Sequence, residues 1–426
     1  MPTANQQVGN YQTVKPLAWY KELNPQEKRT FWACFGGWAT DGMDVQIYSF
    51  VIPALLSLWK LSKSDAGLLA TSTLLLSAFG GWITGILADR VGRVRMLQIT
   101  IAWFSVFTFL SGLAPNFTSL LVIRGLQGLG FGGEWAAGSV LMAEVINATH
   151  RGKAVGMVQS SWSIGWGVAA LLATALFQFL PQSVAWRCLF FFGIAPALLI
   201  FFIRRSISEP AVFRNAAVEQ RGLVTAVRSI FGPRILFRTA FGSLLAIGAQ
   251  GGYYAITSWL PTFLQTERHL TVLSSGGYLA VIICASFVGY TVSAYLNDLI
   301  GRRLNFIVFA IGSLVIVLSY TQLHIDDRLM LILGFPLGFF ASGIFSGMGA
   351  FFAELFPTPI RANAQGFCYN FGRGIAAAFP WLVGMLAASL PLGQAIGIYA
   401  GVAYLTVVAA ALVLPETKGR DLATIK

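Results

Sequence analysis

Residues 85–93 read GILADRVGR and residues 294–302 read AYLNDLIGR, so an Asp, a Gly and an Arg recur in register at an offset of 209 residues. A second motif recurs at an offset of 210, since Ala-Glu at 143–144 precedes Arg151 as Ala-Glu at 353–354 precedes Arg361. Each motif follows a long apolar run. Two motifs repeated in order at nearly one spacing predict a chain built from two homologous halves.

The composition places the chain in a lipid bilayer. Of its 426 residues, 56% are hydrophobic and only 11% are charged, whereas soluble domains contain about 25% charged residues. Apolar runs of about 20 residues recur along the chain, and each is long enough to cross a hydrocarbon core of about 30 Å as a helix. The runs are continuous rather than alternating, which excludes a transmembrane barrel.

We therefore predict an all-α membrane protein with twelve transmembrane helices in two pseudo-symmetric six-helix bundles. The predicted spans are 31–57, 66–88, 96–113, 117–142, 154–179, 185–203, 237–264, 274–297, 304–322, 328–352, 363–389 and 393–414. The predicted organisation is a cytoplasmic tail (1–30), an N-terminal bundle (31–203), a cytoplasmic linker (204–236), a C-terminal bundle (237–414) and a second cytoplasmic tail (415–426).

The net charge of +12 follows the predicted topology. Arg and Lys concentrate in alternate loops, for example at 90–95, 204–234 and 302–303, and the positive-inside rule then places both termini in the cytoplasm. This distribution argues against nucleic-acid binding. The first thirty residues are polar and contain no small-residue cleavage site, so we do not expect a cleaved signal peptide.

Three segments resemble motifs of one transporter family, the major facilitator superfamily. Residues 85–93 resemble the signature of its loop between helices 2 and 3, and residues 121–132 resemble its helix 4 motif. Residues 415–419, Pro-Glu-Thr-Lys-Gly, resemble the terminal motif of its sugar-porter branch. The resemblance covers the chain from about residue 31 and implies two six-helix bundles with a substrate site between them.

Charged residues at the ends of the repeated helices are candidates for gating. In the family, ion pairs at these positions are thought to hold one conformation, and an Arg can pair with an acid such as Glu144. The alternative is that these charges only set the topology. The gating candidates are Asp89, Arg90, Arg93, Glu144, Arg151, Asp298, Arg302, Glu354 and Arg361.

Ionisable side chains at bilayer depth are costly, so those that occur usually face a cavity and have a function. Asp41, Asp44 and Tyr48 have i, i+3, i+7 spacing, which places them on one face of the first helix and predicts one shared cavity. Two neighbouring carboxylates repel each other, which favours a bound proton. Arg124 and Glu134 in the fourth helix complete the proton-coupling candidates, with an Asp–Arg124 packing pair as the alternative.

Arg373 lies in the eleventh helix with no acid nearby in sequence, which invites an anion. Three interpretations remain open: a substrate carboxylate, an acid on another helix, or a position at the cytoplasmic end. Side chains that offer hydrogen bonds or aromatic faces would complete a binding site, although aromatic residues in membranes are more often packing or interface residues. The substrate-binding candidates are Arg373, Asn370, Tyr48, Gln250, Tyr253, Tyr254 and Trp381.

The combination of Asp41-Gly-Met-Asp44, Glu134 and Asn370 with Arg373 resembles the proton symporters for aromatic acids and for sialate or lactate. That resemblance implies uptake of an aromatic acid, muconate or another carboxylate by alternating access, with protons as the coupling ion and no other cofactor. We expect a monomer in the bacterial inner membrane that binds a small organic acid and no nucleic acid.

Other functions remain open. A sugar porter or an efflux carrier for drugs or metabolites would have the same architecture, since one fold serves many functions. A membrane ligand sensor would be expected to carry a signalling domain beyond the short tails. An enzyme is not expected, because the three His lie at loops and no nucleophile–base or metal-ligand constellation occurs. No P-loop motif for ATP is present either.

Overall fold

Helices account for nearly all of the structure. The computed structural model describes residues 18–146, 148–198, 230–233, 235–323, 325–357 and 360–418, and no β-strand occurs within these ranges. The linker predicted at 204–236 falls almost entirely outside them. The confirmed all-α class follows from the bilayer, where every backbone polar group must be satisfied within its own segment.

The first half of the chain supplies the counterparts of the first six predicted spans. A short helix precedes them, and a 3₁₀ turn at Phe192–Ile194 follows α7. The helices are α1 (Ala18–Glu22), α2 (Pro25–Leu58), α3 (Lys63–Val91), α4 (Arg93–Ser111), α5 (Phe117–Val145), α6 (Ala148–Phe179) and α7 (Gln182–Phe191).

The second half supplies the remaining six spans. Two of these spans are each divided into two helices. The helices are α8 (Leu236–Thr257), α9 (Leu260–Thr266), α10 (Val272–Ile300), α11 (Arg302–Gln322), α12 (Asp327–Leu355), α13 (Arg361–Ala376), α14 (Phe379–Leu386) and α15 (Leu392–Val413).

The divisions correct two spans that the sequence analysis treated as continuous. The span predicted at 237–264 breaks between α8 and α9, and the span predicted at 363–389 breaks between α13 and α14. Proline has no N–H and its ring clashes with the carbonyl four residues earlier. Pro261 and Pro380 therefore end the preceding helices at Thr257 and Ala376, four residues before each proline.

Helix α2 starts six residues earlier than predicted. Asn24 and Glu27 form a capping box, in which the Asn24 side chain accepts from the Glu27 N–H at 2.9 Å and Glu27 accepts from the Asn24 N–H at 2.8 Å. Pro25 occupies the first helical position, where its missing N–H costs nothing. The range predicted as an N-terminal tail thus contains α1 and the first turn of α2.

Seven of the described helices are long and apolar enough to cross a membrane, judged by length and composition alone. The seven helices are α3, α4, α6, α10, α11, α12 and α15. Two long helices outside this group, α2 and α5, carry four of the five buried charged side chains described below.

Helix packing reflects the internal repeat. In the first half α3 packs on α5, and in the second half α10 packs on α12. These pairs correspond, because residues 85–93 run from the end of α3 into α4 and residues 294–302 run from the end of α10 into α11. Between the halves, α6 packs on α10, and α3 packs on α13 and α14. A rotation that exchanges the two halves would turn the contact of α6 with α10 into the contact of α3 with α13 and α14. This is the relation expected for a pseudo-twofold arrangement.

Small residues allow the close approach of α3 and α5. A Cβ on Gly132 would overlap the Ser77 backbone of α3, and a Cβ on Gly128 would overlap the Thr73 carbonyl. The glycine-rich stretch of α5 therefore lets two backbones touch, as is common where membrane helices pack. This contact positions Glu134, two residues beyond Gly132, at the centre of the bundle.

Candidate functional site

Five charged side chains lie buried along the middle of the bundle. Each is at most 2% exposed, and they come from three helices: α2, α5 and α13. Burying a charge is costly unless it is paired and hydrogen-bonded, so each must be explained by its partners. The five are Asp41, Asp44, Arg124, Glu134 and Arg373.

Asp44 lies in a closed hydrogen-bond network within the first half. It accepts hydrogen bonds from the Thr108 hydroxyl of α4 and from the Gln127 amide of α5. Arg124 Nη1 donates to the Gln127 Oε1 at 2.6 Å, so the arginine reaches Asp44 through Gln127. The Arg124 guanidinium also lies 4.9 Å from the centre of the Tyr48 ring. Asp44 and Arg124 thus compensate each other.

Asp41 faces a different partner. Its carboxyl group interacts with the Glu134 carboxyl of α5 and, more weakly, with Asp44 and Arg373. Neither Asp41 oxygen accepts a hydrogen bond from a donor among the described residues. That Asp41, Asp44 and Tyr48 share one cavity stays a prediction, since Tyr48 lines the larger cavity described below and Asp41 interacts with both Glu134 and Asp44. The positions share a helix face, but neighbouring helices give Asp44 donors in α4 and α5, while Asp41 meets a second acid.

Arg373 lies where α13 meets both halves. Its guanidinium is 5.0 Å from the centre of the Phe131 ring of α5 and 5.1 Å from that of Tyr369. The Tyr254 and Tyr369 hydroxyls also face it. Its Nε and Nη1 have no hydrogen-bond partner among the described residues, although the side chain is only 1% exposed. Unpartnered donors on a buried, always-charged guanidinium favour an anionic partner such as a carboxylate.

Two small cavities flank these charges. One of about 20 Å³ is lined by residues of α2, α3, α5, α6 and α8, including Tyr48, Arg124 and Tyr254. The other, about 10 Å³, touches Glu134 and lies towards the end of the bundle where Pro25 and Val413 are found. We call that end the terminal end. Cavities of this size hold one or two water molecules at most, so the site is closed around its charges.

The other predicted binding residues divide into two groups. Gln250 and Tyr254 belong to the Arg373 surroundings, since Gln250 Nε2 donates to the Tyr369 carbonyl at 3.0 Å and the Tyr254 hydroxyl donates to Gln250 Oε1 at 3.2 Å. Tyr253 accepts from the Trp162 indole N–H of α6 at 2.8 Å and lines the larger cavity.

Asn370 and Trp381 instead lie where α3 meets α13 and α14. A Cβ on Gly81 would lie 2.6 Å from Asn370 Oδ1. The Trp381 indole N–H donates to Ser64 Oγ at 3.1 Å, beyond the helix break that separates it from Arg373. That Asn370 and Trp381 bind substrate stays a prediction.

The end of the bundle opposite the terminal end is closed by contacts between the halves. The Thr71 hydroxyl of α3 donates to the Ala377 carbonyl at 2.6 Å, and Lys63 Nζ donates to the Ala387 carbonyl at 3.4 Å. Two glycines let the backbones touch there, because a Cβ on Gly67 would lie 2.7 Å from Trp381 Cα and a Cβ on Gly384 would overlap the Lys63 backbone.

Four gating candidates lie in the described part of the terminal end. Arg302 pairs with Glu354 at 2.8 Å and with Asp298 at 2.9 Å. Arg361 Nε donates to the Phe356 carbonyl at 3.3 Å. The side chains of the first-half candidates, Asp89, Arg90, Arg93, Glu144 and Arg151, lie outside the described part of the structure. Gating by these residues stays a prediction.

The segment after α15 caps the start of α11. Glu416 accepts from the Arg302 and Arg303 N–H groups, both at 3.0 Å, and from the N–H groups of Thr417 and Lys418. The Thr417 hydroxyl donates to Glu354 at 2.7 Å and so joins this cap to the ion pair. Partial burial acts in the opposite direction, but these four donors lower the pKa of Glu416 below its ordinary 4.5.

We expect Glu416→Ala to lower the free energy of unfolding by about 1 kcal/mol at neutral pH, because α11 loses its capping acceptor. A lowered folded-state pKa stabilises the fold above the ordinary value, and this contribution is lost as the pH falls through the folded-state pKa. Thermal unfolding in detergent from pH 7 to pH 4 measures it. Asp326→Ala, which removes a single bond to the Leu329 N–H at 3.1 Å, is the matched control. A deficit independent of pH would contradict the assignment.

Sequence reasoning missed several neutral members of the site. Thr108 and Gln127 donate hydrogen bonds to Asp44, while Phe131, Trp162 and Tyr369 surround Arg373 and the larger cavity. Gln127 lies three residues after Arg124, inside the motif at 121–132, and Tyr369 lies four residues before Arg373, so a search for polar groups one helical turn from each buried charge would have found both. Phe131 and Trp162 carry no such signal, because aromatic residues are frequent throughout the chain.

Comparison with known proteins gives concordant results. The model of the Major Facilitator Superfamily matches residues 34–327. A probable 4-methylmuconolactone transporter of Cupriavidus pinatubonensis is 44% identical over 95% of this chain and 94% of its own. The cis,cis-muconate transport protein of Acinetobacter baylyi is 32% identical over 86% of this chain and 89% of its own.

Among solved structures, the proton:xylose symporter XylE of E. coli, bound to 6-bromo-6-deoxy-D-glucose, has a TM-score of 0.73 at 19% identity. The alignment covers 93% of this chain and 98% of XylE. At this identity the likeness establishes the fold alone, which confirms the predicted architecture. Matched over most of its length by the family model and by relatives of the same extent, the chain belongs to the Major Facilitator Superfamily, whose members are transporters rather than enzymes.

Proposed function

We propose that this transporter takes up a small organic acid together with protons by alternating access. The observation that carries the proposal is Arg373, a fully buried guanidinium whose Nε and Nη1 have no partner among the described residues. A buried, always-charged group with unpartnered donors selects an anion, and a carboxylate is the anion that arginine most often binds in proteins. The relatives named for muconate and methylmuconolactone transport support this substrate class.

The surroundings of Arg373 favour a small, flat or unsaturated acid. Phe131, Tyr369 and Tyr254 present aromatic faces and hydroxyl groups around the guanidinium. Aromatic walls with a few placed polar groups are typical of small-molecule sites. We propose Arg373 as the carboxylate anchor, with Tyr254 and Gln250 as its neighbours in the site and Tyr48 and Tyr253 in the wall of the larger cavity.

Proton coupling is assigned to the acids that face Arg373. Asp41 and Glu134 lie in the same buried cluster as the proposed carboxylate anchor. A substrate carboxylate on Arg373 adds a negative charge beside two acids, which favours protonation of the acids. Binding of the acid and binding of a proton then support each other, which is the basis of symport. Asp44 and Arg124 hold the neighbouring helices together.

A neutral sugar as substrate would leave the Arg373 charge without a counterpart. Buried cations are normally paired or bound to anions, and a hexose offers only hydroxyl groups. The terminal motif at 415–419 is explained by its structural role, since Glu416 and Thr417 cap α11 and support the Arg302–Glu354 pair. The motif therefore does not require sugar transport.

Uptake by purified protein in liposomes tests the proposal. We expect one labelled acid from a panel of 4-hydroxybenzoate, cis,cis-muconate, lactate and sialate to be taken up under an inward proton gradient. A protonophore should abolish accumulation, and protein-free liposomes give the background. Uptake of a labelled hexose instead, or of none of these acids, would contradict the proposal.

We also propose a bacterial inner-membrane location with both chain termini in the cytoplasm. The Arg-rich loops at the terminal end support this orientation through the positive-inside rule. Fusion of a fluorescent reporter and of a periplasmic phosphatase to the C-terminus tests it. Fluorescence without phosphatase activity is expected, and the reverse result would contradict it.

A further inference from the structure

The buried charges of the bundle can be counted. Glu27 and Arg302 lie at helix ends, and the other buried charged side chains among the described residues are three acids and two arginines. The acids are Asp41, Asp44 and Glu134, and the cations are Arg124 and Arg373. With every group ionised, the buried set would carry one net negative charge. Net charge is unfavourable in a site closed from water.

The excess acid belongs to one of two separate clusters. Asp44 and Arg124 balance each other, and the hydrogen bonds from Thr108 and Gln127 satisfy both Asp44 oxygens in their charged form. That cluster needs no proton. The second cluster contains Asp41 and Glu134 against Arg373 alone, so the missing positive charge must be supplied there.

The geometry of the two carboxyl groups agrees with one shared proton. Asp41 and Glu134 face each other, because the Glu134 carboxyl group lies against Gly37, one helical turn before Asp41 on α2. Ionised carboxylates are acceptors only, so a hydrogen bond between them requires that one carries a proton. The titratable and charged groups that face this pair are Cys34, Asp44 and Arg373, and Arg373 supplies the positive charge. Tyr254 and Tyr369 in turn face Arg373.

We propose that Asp41 and Glu134 form a single composite proton site that holds one proton in the empty carrier and two when a carboxylate occupies Arg373. This inference rests on the proposed function. When a monocarboxylate binds Arg373, it adds one negative charge, and a second proton on the pair restores neutrality. Each monocarboxylate then crosses with one proton, and the loaded and empty forms carry the same net charge.

A transport cycle of this kind responds to the pH gradient and not to voltage. Reorientation of the loaded carrier moves no net charge, so a membrane potential does no work on it. Two protons per acid would instead move one positive charge inwards. At 100 mV, inside negative, that charge would raise the attainable accumulation by about 50-fold.

The first test measures charge movement with 4-hydroxybenzoate as the probe. Proteoliposomes on a solid-supported membrane receive the acid while an internal dye reports pH, and protein-free liposomes give the background. We expect protein-dependent internal acidification without a transport current, and an initial uptake rate unchanged by a 100 mV valinomycin potential. An inward positive current with faster uptake at that potential would overturn the one-proton stoichiometry.

The second test uses neutralised acids. Asp41→Asn and Glu134→Gln each leave one carboxyl group beside Arg373, so each single variant should retain uptake driven by the pH gradient at a reduced rate. The double variant has no acid left to protonate there. It should lose the uptake driven by the pH gradient but continue to exchange labelled for unlabelled acid. Any net entry of the acid should then carry negative charge into the liposome. Asp65→Asn, at an exposed helix start, is the control substitution.

The outcomes separate the two proposals. If one single variant abolishes pH-driven uptake while exchange continues at the wild-type rate, the proton resides on one acid and the composite site is overturned. If the wild-type protein neither accumulates nor exchanges any acid of the panel, the proposed function fails, and the composite site fails with it. Retained exchange in each variant shows that the protein is folded.

Discussion

Arg373→Gln is expected to abolish transport of the carboxylate. The substitution removes both the positive charge and the two free donors, Nε and Nη1, from a side chain that is 1% exposed. Loss of one partner of a buried charge pair costs about 3 kcal/mol, so we expect binding about 100-fold weaker. Binding of the transported acid to detergent-purified protein, measured by calorimetry, gives the affinity, and counterflow in liposomes gives the transport rate.

Arg373→Lys is the matched control for this prediction. It keeps the charge but replaces the planar fork with a single ammonium group, so we expect binding intermediate between those of wild type and Arg373→Gln. Arg373→Gln also leaves Asp41 and Glu134 without their cation, which should favour protonation of both. Wild-type affinity in a folded Arg373→Gln protein would show that the arginine only balances the two acids.

Gly67→Val should stop the transport cycle by preventing closure of the end opposite the terminal end. A Cβ at this position would lie 2.7 Å from Trp381 Cα and 2.9 Å from the Pro380 carbonyl carbon, and these backbone atoms cannot rotate away. Overpacking typically costs about 1–3 kcal/mol, which shifts a two-state equilibrium by about 5- to 150-fold towards the open form. The substrate should still bind, while exchange and net uptake are lost.

Labelling of a cysteine at position 64 measures this opening. Ser64 accepts from Trp381 at the closed interface, and Ser64→Cys in a background with Cys188 and Cys284 replaced by Ser reports access to a maleimide. We expect faster labelling with Gly67→Val. Gly277→Val is the control, because no described atom lies within 4 Å of an added Cβ there. Unchanged labelling together with normal exchange would contradict the prediction.

The spans and their repeat could be predicted from sequence because membrane helices have a simple requirement. A run of about 20 apolar residues must form a helix in the bilayer, and the 209-residue repeat of Asp, Gly and Arg identified corresponding helices. The errors at Thr257 and Ala376 have a local cause, but the sequence alone could not show that it would act there. A proline four residues further on breaks each helix, yet Pro53 and Pro336 remain inside α2 and α12. Tertiary packing therefore decides which proline breaks a helix.

The candidate site could be predicted only in part. The cost of burying a charge singled out Asp41, Asp44, Arg124, Glu134 and Arg373, and all five are buried in the structure. Their pairing could not be derived from the chain, because the partners lie on different helices. Helical spacing placed Asp41 with Asp44, whereas the structure places Asp41 with Glu134, 93 residues away in sequence. Their functional roles remain predictions.

By itself, the sequence determined the bilayer environment, the repeat of two halves, the family and the short set of buried charges. These properties depend on composition and spacing within single segments, which the chain carries directly. The tertiary structure alone decided that Asp44 is neutralised by Thr108, Gln127 and Arg124 while Arg373 keeps two free donors beside two acids. Charge balance depends on distances between helices, and those distances arise only when α2, α4, α5 and α13 pack together.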